Sequence, residues 1–142
     1  MDEEQAKWKT IAPPWSECNI IEQVEHYGGI DDENYYCFTL SLLDDMDDCL
    51  VISYDLTKNQ FTDDGDTWQN FAMCGINLSA CQRYFSIFTA LPVKVIDQEL
   101  VLKSKLTREH LIQYAQFLVE LYTFKQVLTN KDKLFEVGLR ND

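Results

Sequence analysis

Basic side chains are scarce in the first half of this chain. Residues 1–66 carry 3 Lys/Arg against 17 Asp/Glu, a balance of −14, whereas residues 67–142 carry 9 against 7, a balance of +2. The net charge of −12 therefore originates entirely in the front of the sequence. A one-sided field of that size repels DNA, RNA and anionic membranes and attracts basic proteins. Direct nucleic-acid and membrane binding are accordingly disfavoured. Long apolar runs are missing as well. The strongest, Tyr35 to Leu43, Cys49 to Tyr54 and Leu111 to Val119, fall well short of the roughly 18 unbroken residues that a membrane span requires. The opening "MDEEQAKWKT" is acidic and has no apolar h-region, so the sequence reads as cytosolic.

Motifs that carry chemistry are equally thin. The five cysteines are odd in number, none forms a CxxC pair, and the two histidines, His26 and His110, stand far from them. A zinc site has no ligand spacing behind it, and the thiols read as buried or half-buried in a reducing compartment. There is no GxSxG elbow and no GxxxxGK[ST] loop. Gly28-Gly29 reads as a helix stop, His26 as a residue near that helix end, and His110 as a solvated residue in the first turn of the last helix. The acids do not follow the alternating spacing of an EF-hand loop before a glycine. A PD-(D/E)xK nuclease needs a lysine two residues after its second acid. Glu99 is followed there by Val101, and Lys103 lies about 13 Å further along a strand. A small metal-dependent nuclease or hydrolase using Asp63, Asp64 and Glu99 remains the rival from another class. No cofactor or metal is expected.

What is present suffices for one core: 142 residues, 46% hydrophobic and 13% aromatic. Residues 1–15 read as an acidic lead-in, 16–130 as a single domain and 131–142 as a C-terminal tail. Ser16 is a candidate N-cap for a short helix with Ile20, Ile21 and Val24 on one face. Tyr35 to Leu43 and Cys49 to Leu56 read as strands joined by "DDMDD" at 44–48, and Phe61-Thr62 begins a third. "TDDGD" turns the chain from strand to helix: Asp63 or Asp64 binds backbone amides in an Asx-turn, Gly65 supplies a positive φ, and Asp66 or Thr67 caps the helix. That helix runs to about Cys74, with Trp68, Phe71 and Ala72 inward and Gly75 as its stop. Ser79 with Gln82 matches a capping box for a helix that Pro92 ends. "VKVI" and "ELVLKSKL" form a second hairpin around Asp97-Gln98. Thr107 caps the longest helix, which runs to about Leu128 with two apolar stripes, one at Leu111, Ala115, Leu118 and Tyr122, the other at Tyr114, Phe117, Leu121 and Phe124. The predicted class is α+β: two β-hairpins in an antiparallel sheet packed by about four helices, the longest C-terminal.

This order of signals resembles the bacterial and phage family called domain of unknown function 1828 over roughly residues 35–128. The likeness rests on Thr62 to Gly65, on Gly75 to Leu78 ("GINL"), on Glu99-Leu100, and on the final helix "LTREHLIQYAQFLVELYTF". The resemblance implies a fold order and a home on bacterial mobile elements or their hosts, hence the cytoplasm of a bacterial host cell. It carries no catalytic assignment. The heavier acid load at 44–48 departs from the family's pattern.

The remaining signal is the acid itself. In "SLLDDMDDCLVISYDLTKNQFTDDGDTW", residues 41–68, eight aspartates accompany one lysine. The plain reading is solubility. The sharper one gathers Asp31, Asp32, Glu33, Asp44, Asp45, Asp47, Asp48, Asp63, Asp64 and Asp66 on one side, where they occupy a partner's basic groove as a polyanion would. Trp15, Tyr35, Tyr36 and Trp68 would supply aromatic anchors. The expected protein is a non-enzymatic inhibitor of a nucleic-acid-handling partner (a nuclease, CRISPR effector or toxin) of the anti-defence, anti-CRISPR or anti-restriction kind. An immunity protein for a basic toxin is the alternative. The sequence leaves the oligomeric state open.

Overall fold

The computed structural model describes residues 20–28, 33–44 and 48–136. They form a six-stranded antiparallel sheet, ordered β1-β2-β3-β4-β6-β5, with its longest helix at the C-terminal end. The strands are β1 (Ile21–Gly28), β2 (Asn34–Leu43), β3 (Cys49–Asp55), β4 (Gln60–Thr62), β5 (Lys94–Ile96) and β6 (Glu99–Lys103). The helices are α1 (Asp66–Met73), α2 (Leu78–Cys81), α3 (Phe85–Phe88) and α4 (Arg108–Glu136), with a 3₁₀ turn at Gln82–Tyr84. This is the expected α+β class, with the 44–48 connection between β2 and β3 and the second hairpin at β5–β6.

Alternation along each strand sorts the sheet into two faces. Tyr36, Phe38 and Leu40 of β2, Leu50, Ile52 and Tyr54 of β3, Phe61 of β4, and Leu100 and Leu102 of β6 are buried on one face. There the α4 stripes close the core: Leu111, Tyr114, Ala115, Phe117, Leu118, Leu121 and Tyr122 are all buried, and Phe124 packs against them half-buried. Tyr114 stacks on Phe61 at 5.8 Å between centroids, and its hydroxyl donates to the Leu100 carbonyl at 2.6 Å. Thr107 begins α4 as expected, its Oγ1 accepting from the His110 amide at 3.1 Å. The helix continues past Leu128 to Glu136, beyond the predicted end of the domain at 130.

Three local expectations are corrected. Residues 21–28 are a strand, not part of a helix. A register shift between Ile21 and Gln23 inserts an extra residue opposite β2, so Ile21 pairs with Leu40 and Val24 with Phe38 on the same core face. A β-bulge thus gives the three-residue apolar spacing that imitates a helix. In α1 the inward positions are Thr67, Asn70 and Phe71, and Ala72 is exposed. The third predicted helix is broken. Its cap is Asn77, whose side chain accepts from Ser79 N, while Gln82 Oε1 accepts from the Val95 amide at 2.8 Å. The helical stretch ends at Phe88, ahead of Pro92, because Thr89 is extended.

Two turns place consecutive residues at positive φ. Asp97 and Gln98 have φ of 50° and 68°, the paired left-handed residues of a tight hairpin whose twist matches the flanking strands. Asp64 (φ 59°) and Gly65 (φ 86°) form the second pair, and the residue at 65 also lies against the Gln98 carbonyl.

Candidate functional site

The "TDDGD" segment separates its three aspartates into three environments. Asp63 is 3% exposed. Its Oδ1 accepts from the amides of Gly65 and Leu100, both at 3.1 Å, and its Oδ2 accepts from the Thr67 amide at 3.0 Å. One carboxylate therefore closes the Asx-turn, satisfies a first-turn amide of α1 and binds that corner to β6. Asp63, not Asp66, performs the capping that the sequence suggests. Asp64 turns the other way, and its Oδ2 accepts from the Ser53 hydroxyl at 2.6 Å. Beside it, Thr62 Oγ1 donates to Glu99 Oε1 at 2.5 Å and accepts from the Asp64 amide at 3.1 Å.

Asp66 is the first residue of α1 and lies exposed. Its carboxyl is nevertheless held above the usual aspartate range, first by partial loss of hydration and then by repulsion from Asp63, Asp64 and Asp44. The folded protein therefore resists ionising Asp66. The penalty is absent below the unfolded aspartate pKa of about 4, grows as pH rises through the raised folded value, and is complete above it. Asp66→Asn is expected to raise the melting temperature at neutral pH, with the gain vanishing below about pH 4. Thermal melts of both proteins across pH 3–8, a range bracketing the roughly 4 of a free aspartate, check this.

The second face of the sheet follows from strand register, because paired residues point to the same side. Gln23, Glu25 and Tyr27 of β1 lie beside Thr39, Cys37 and Tyr35 of β2. Val51, Ser53 and Asp55 of β3 come next, then Thr62 and Gln60 of β4, then Val101 and Lys103 of β6. Ser53, Thr62 and Val101 are buried there, while Glu25 and Tyr27 are exposed. The Cys37 thiol is raised first by burial and then by the charges of Asp64 and Glu25. Tyr35 is raised by burial, then by Glu33 and Asp64. Asp64 thus projects its field over the middle of this face.

The predicted acidic residues separate accordingly. Asp31, Asp32, Asp45, Asp47 and Trp15 lie outside the described residues. Asp44, half-buried, and Asp48, exposed, close the β2–β3 connection, where Asp48 N donates to Asp44 Oδ1 at 3.1 Å. Asp44 acts on Asp66 together with Asp63 and Asp64, so these carboxylates share one field. Glu33 is exposed just before β2, and its charge reaches Tyr35 as that of Asp64 does. Of the aromatic anchors, Tyr35 sits half-buried on the second face, Tyr36 is 2% exposed within the core, and Trp68 packs half-buried against the core. The structure thus places Asp63 and Tyr36 in the interior, away from any contact surface.

Several polar arrangements were not visible in the sequence. His26 lies on β1, its Nε2 at 2.7 Å from Asn34 Oδ1 and its ring 5.2 Å from Tyr36. His110 is half-buried instead of solvated, with Nδ1 2.6 Å from Ser104 Oγ. Ser104 Oγ also donates to the Lys105 carbonyl at 2.9 Å, so a ring protonated at Nδ1 completes a relay that ties the β6–α4 loop together. Lys125, 3% exposed, donates from Nζ to Asn70 Oδ1 and lies 5.8 Å from the Phe71 ring centroid. Tyr122 OH donates to Thr67 Oγ1 at 3.3 Å. A polar seam thus joins α1 to α4 where the sequence suggested Ala72 and apolar packing.

Among the described residues, no group of three or more His, Cys, Asp and Glu side chains is arranged to hold a metal ion. No helix among them is long and apolar enough to cross a membrane. Fold and surface together define a small α+β domain in which neutral donors hold the carboxylates of Glu25, Asp55, Asp64 and Glu99. The chain matches no family model, no curated protein and no solved structure.

Proposed function

We propose that this chain is a non-enzymatic acidic binding protein that occupies the basic groove of a nucleic-acid-handling partner and inhibits it. The observation that carries the reading is how the carboxylates are satisfied. Asp64 is bonded by the Ser53 hydroxyl and Glu99 by the Thr62 hydroxyl. Asp55 Oδ1 accepts from the Thr57 and Lys58 amides at 2.8 and 3.0 Å. Glu25 is bonded by the Gln23 amide and the Tyr27 hydroxyl. Neutral donors orient a carboxylate without cancelling its charge, so each keeps its field for a cationic partner. Three backbone amides already occupy the Asp63 carboxylate, which supports the binding reading over the rival hydrolase. A mobile-element protein acting in the host cytoplasm against a defence nuclease or CRISPR effector is the form of this reading that the sequence resemblance over residues 35–128 implies. An immunity protein for a basic toxin would use the same surface.

Affinity capture from bacterial lysate tests this. A basic partner is expected to be retained at low ionic strength and released either by raising salt or by adding single-stranded or duplex DNA, since both act on the same cationic contacts. Retention that neither salt nor nucleic acid disturbs would refute polyanion mimicry.

A further inference from the structure

Resting on that reading, the geometry points to the Gln23–Glu25–Tyr27 row of β1, with Tyr35 beside it, as a seat for an arginine side chain of the partner.

The row is built by strand alternation: three successive outward positions of one strand present an amide, a carboxylate and a phenol. Gln23 Nε2 donates to Glu25 Oε1 at 2.8 Å, and Tyr27 OH donates to Glu25 Oε2 at 2.6 Å. Both carboxylate oxygens are thereby oriented before any partner arrives, which lowers the entropic cost of a planar, bidentate contact. Tyr27 pairs across the strands with Tyr35, and their rings stack at 5.2 Å with 21° between planes. Tyr27 is 41% exposed, so its ring is accessible to a flat cation. The negative field is already registered here: the Tyr27 phenol is pushed up to about 12, chiefly by its hydrogen bond to Glu25 and that residue's charge.

A guanidinium uses every part of this arrangement. Its fork matches the carboxylate, and its plane stacks on an aromatic face. The ammonium of lysine offers a point charge and cannot stack, so the seat discriminates between two partners of equal charge. Charge complementarity alone would not.

Titration of the full chain with hexa-arginine and hexa-lysine, followed by amide chemical shifts, tests the proposal. Hexa-arginine is expected to bind about threefold or more tighter, with the largest shifts at residues 23–27 and 35–37. Tyr27→Leu is expected to weaken hexa-arginine binding by about two- to fivefold, with little change for hexa-lysine. Glu25→Gln should weaken both. Equal affinity for the two peptides, or an arginine preference that survives Tyr27→Leu, overturns the seat and leaves the acidic-binder reading standing. Failure of both peptides to bind at low salt overturns both.

Discussion

Asp63→Ala is expected to lower the unfolding free energy by about 3–5 kcal/mol. The side chain is buried and accepts from the amides of Gly65, Thr67 and Leu100. Truncation strands all three donors, and each buried group left without a partner costs roughly 1–3 kcal/mol, partly relieved where water or a shifted backbone reaches it. A domain of ordinary stability holds about 5–15 kcal/mol in total, so the variant loses a large share of it. Asp63→Asn keeps an oxygen able to serve the Gly65 and Leu100 amides while turning a donor toward Thr67 N. It should therefore lose less than alanine. Urea denaturation monitored by tryptophan fluorescence decides the matter: the midpoint should fall in the order wild type, asparagine, alanine, with unchanged m. A loss below about 1 kcal/mol for alanine, the scale of one ordinary hydrogen bond, would show that the corner is held by something other than this carboxylate.

Phe117→Ala should cost a comparable amount, about 3–5 kcal/mol, by a different route. Phe117 is fully buried on α4. Its ring meets Phe85 edge-on at 4.9 Å and also contacts Phe88 and Tyr114 at 6.5 and 6.4 Å. It fastens the short helix α3 to α4 and, through Tyr114, to the sheet. Removing it leaves a cavity walled by other rigid aromatic rings, which collapse into it poorly. Phe117→Leu keeps most of the volume and should lose much less. The comparison separates lost packing from lost secondary structure: in urea, the alanine variant should unfold at a lower midpoint while its native far-ultraviolet dichroism remains that of the wild type.

Much of the architecture was legible because its causes are local. The hairpin at Asp97-Gln98, the strand-to-helix corner at 62–66, and the Thr107 cap of α4 each depend on residues within a few positions of one another, and the two apolar stripes of α4 mark its buried side. The first strand was not legible. Its bulge places Ile21 and Val24 on one face, and only pairing with β2 distinguishes that spacing from a helical one. Tyr36 and Tyr35 are adjacent aromatics with the same local chemistry, yet alternation sends one into the core and the other to the second face. The acids were recognisable as a group, but their division was not. Asp63 and Asp64 are neighbours, yet one meets the Leu100 amide of β6 and two amides of its own turn while the other meets Ser53. Glu25 and Tyr27 give no signal in the sequence, because the local apolar spacing reads as a helix, on which they would not align with Gln23.

Composition and local pattern by themselves determined the acidic α+β class, the negative charge in the front half, the hairpins at 44–48 and at Asp97-Gln98, and the long amphipathic C-terminal helix. Charge, turn chemistry and apolar periodicity are properties of short stretches of chain. Tertiary structure alone decided which carboxylates face solvent and which hold the fold together. Burial and hydrogen-bond partners come from residues distant in sequence, as when Asp63 meets the amide of Leu100 and Lys125 meets Asn70.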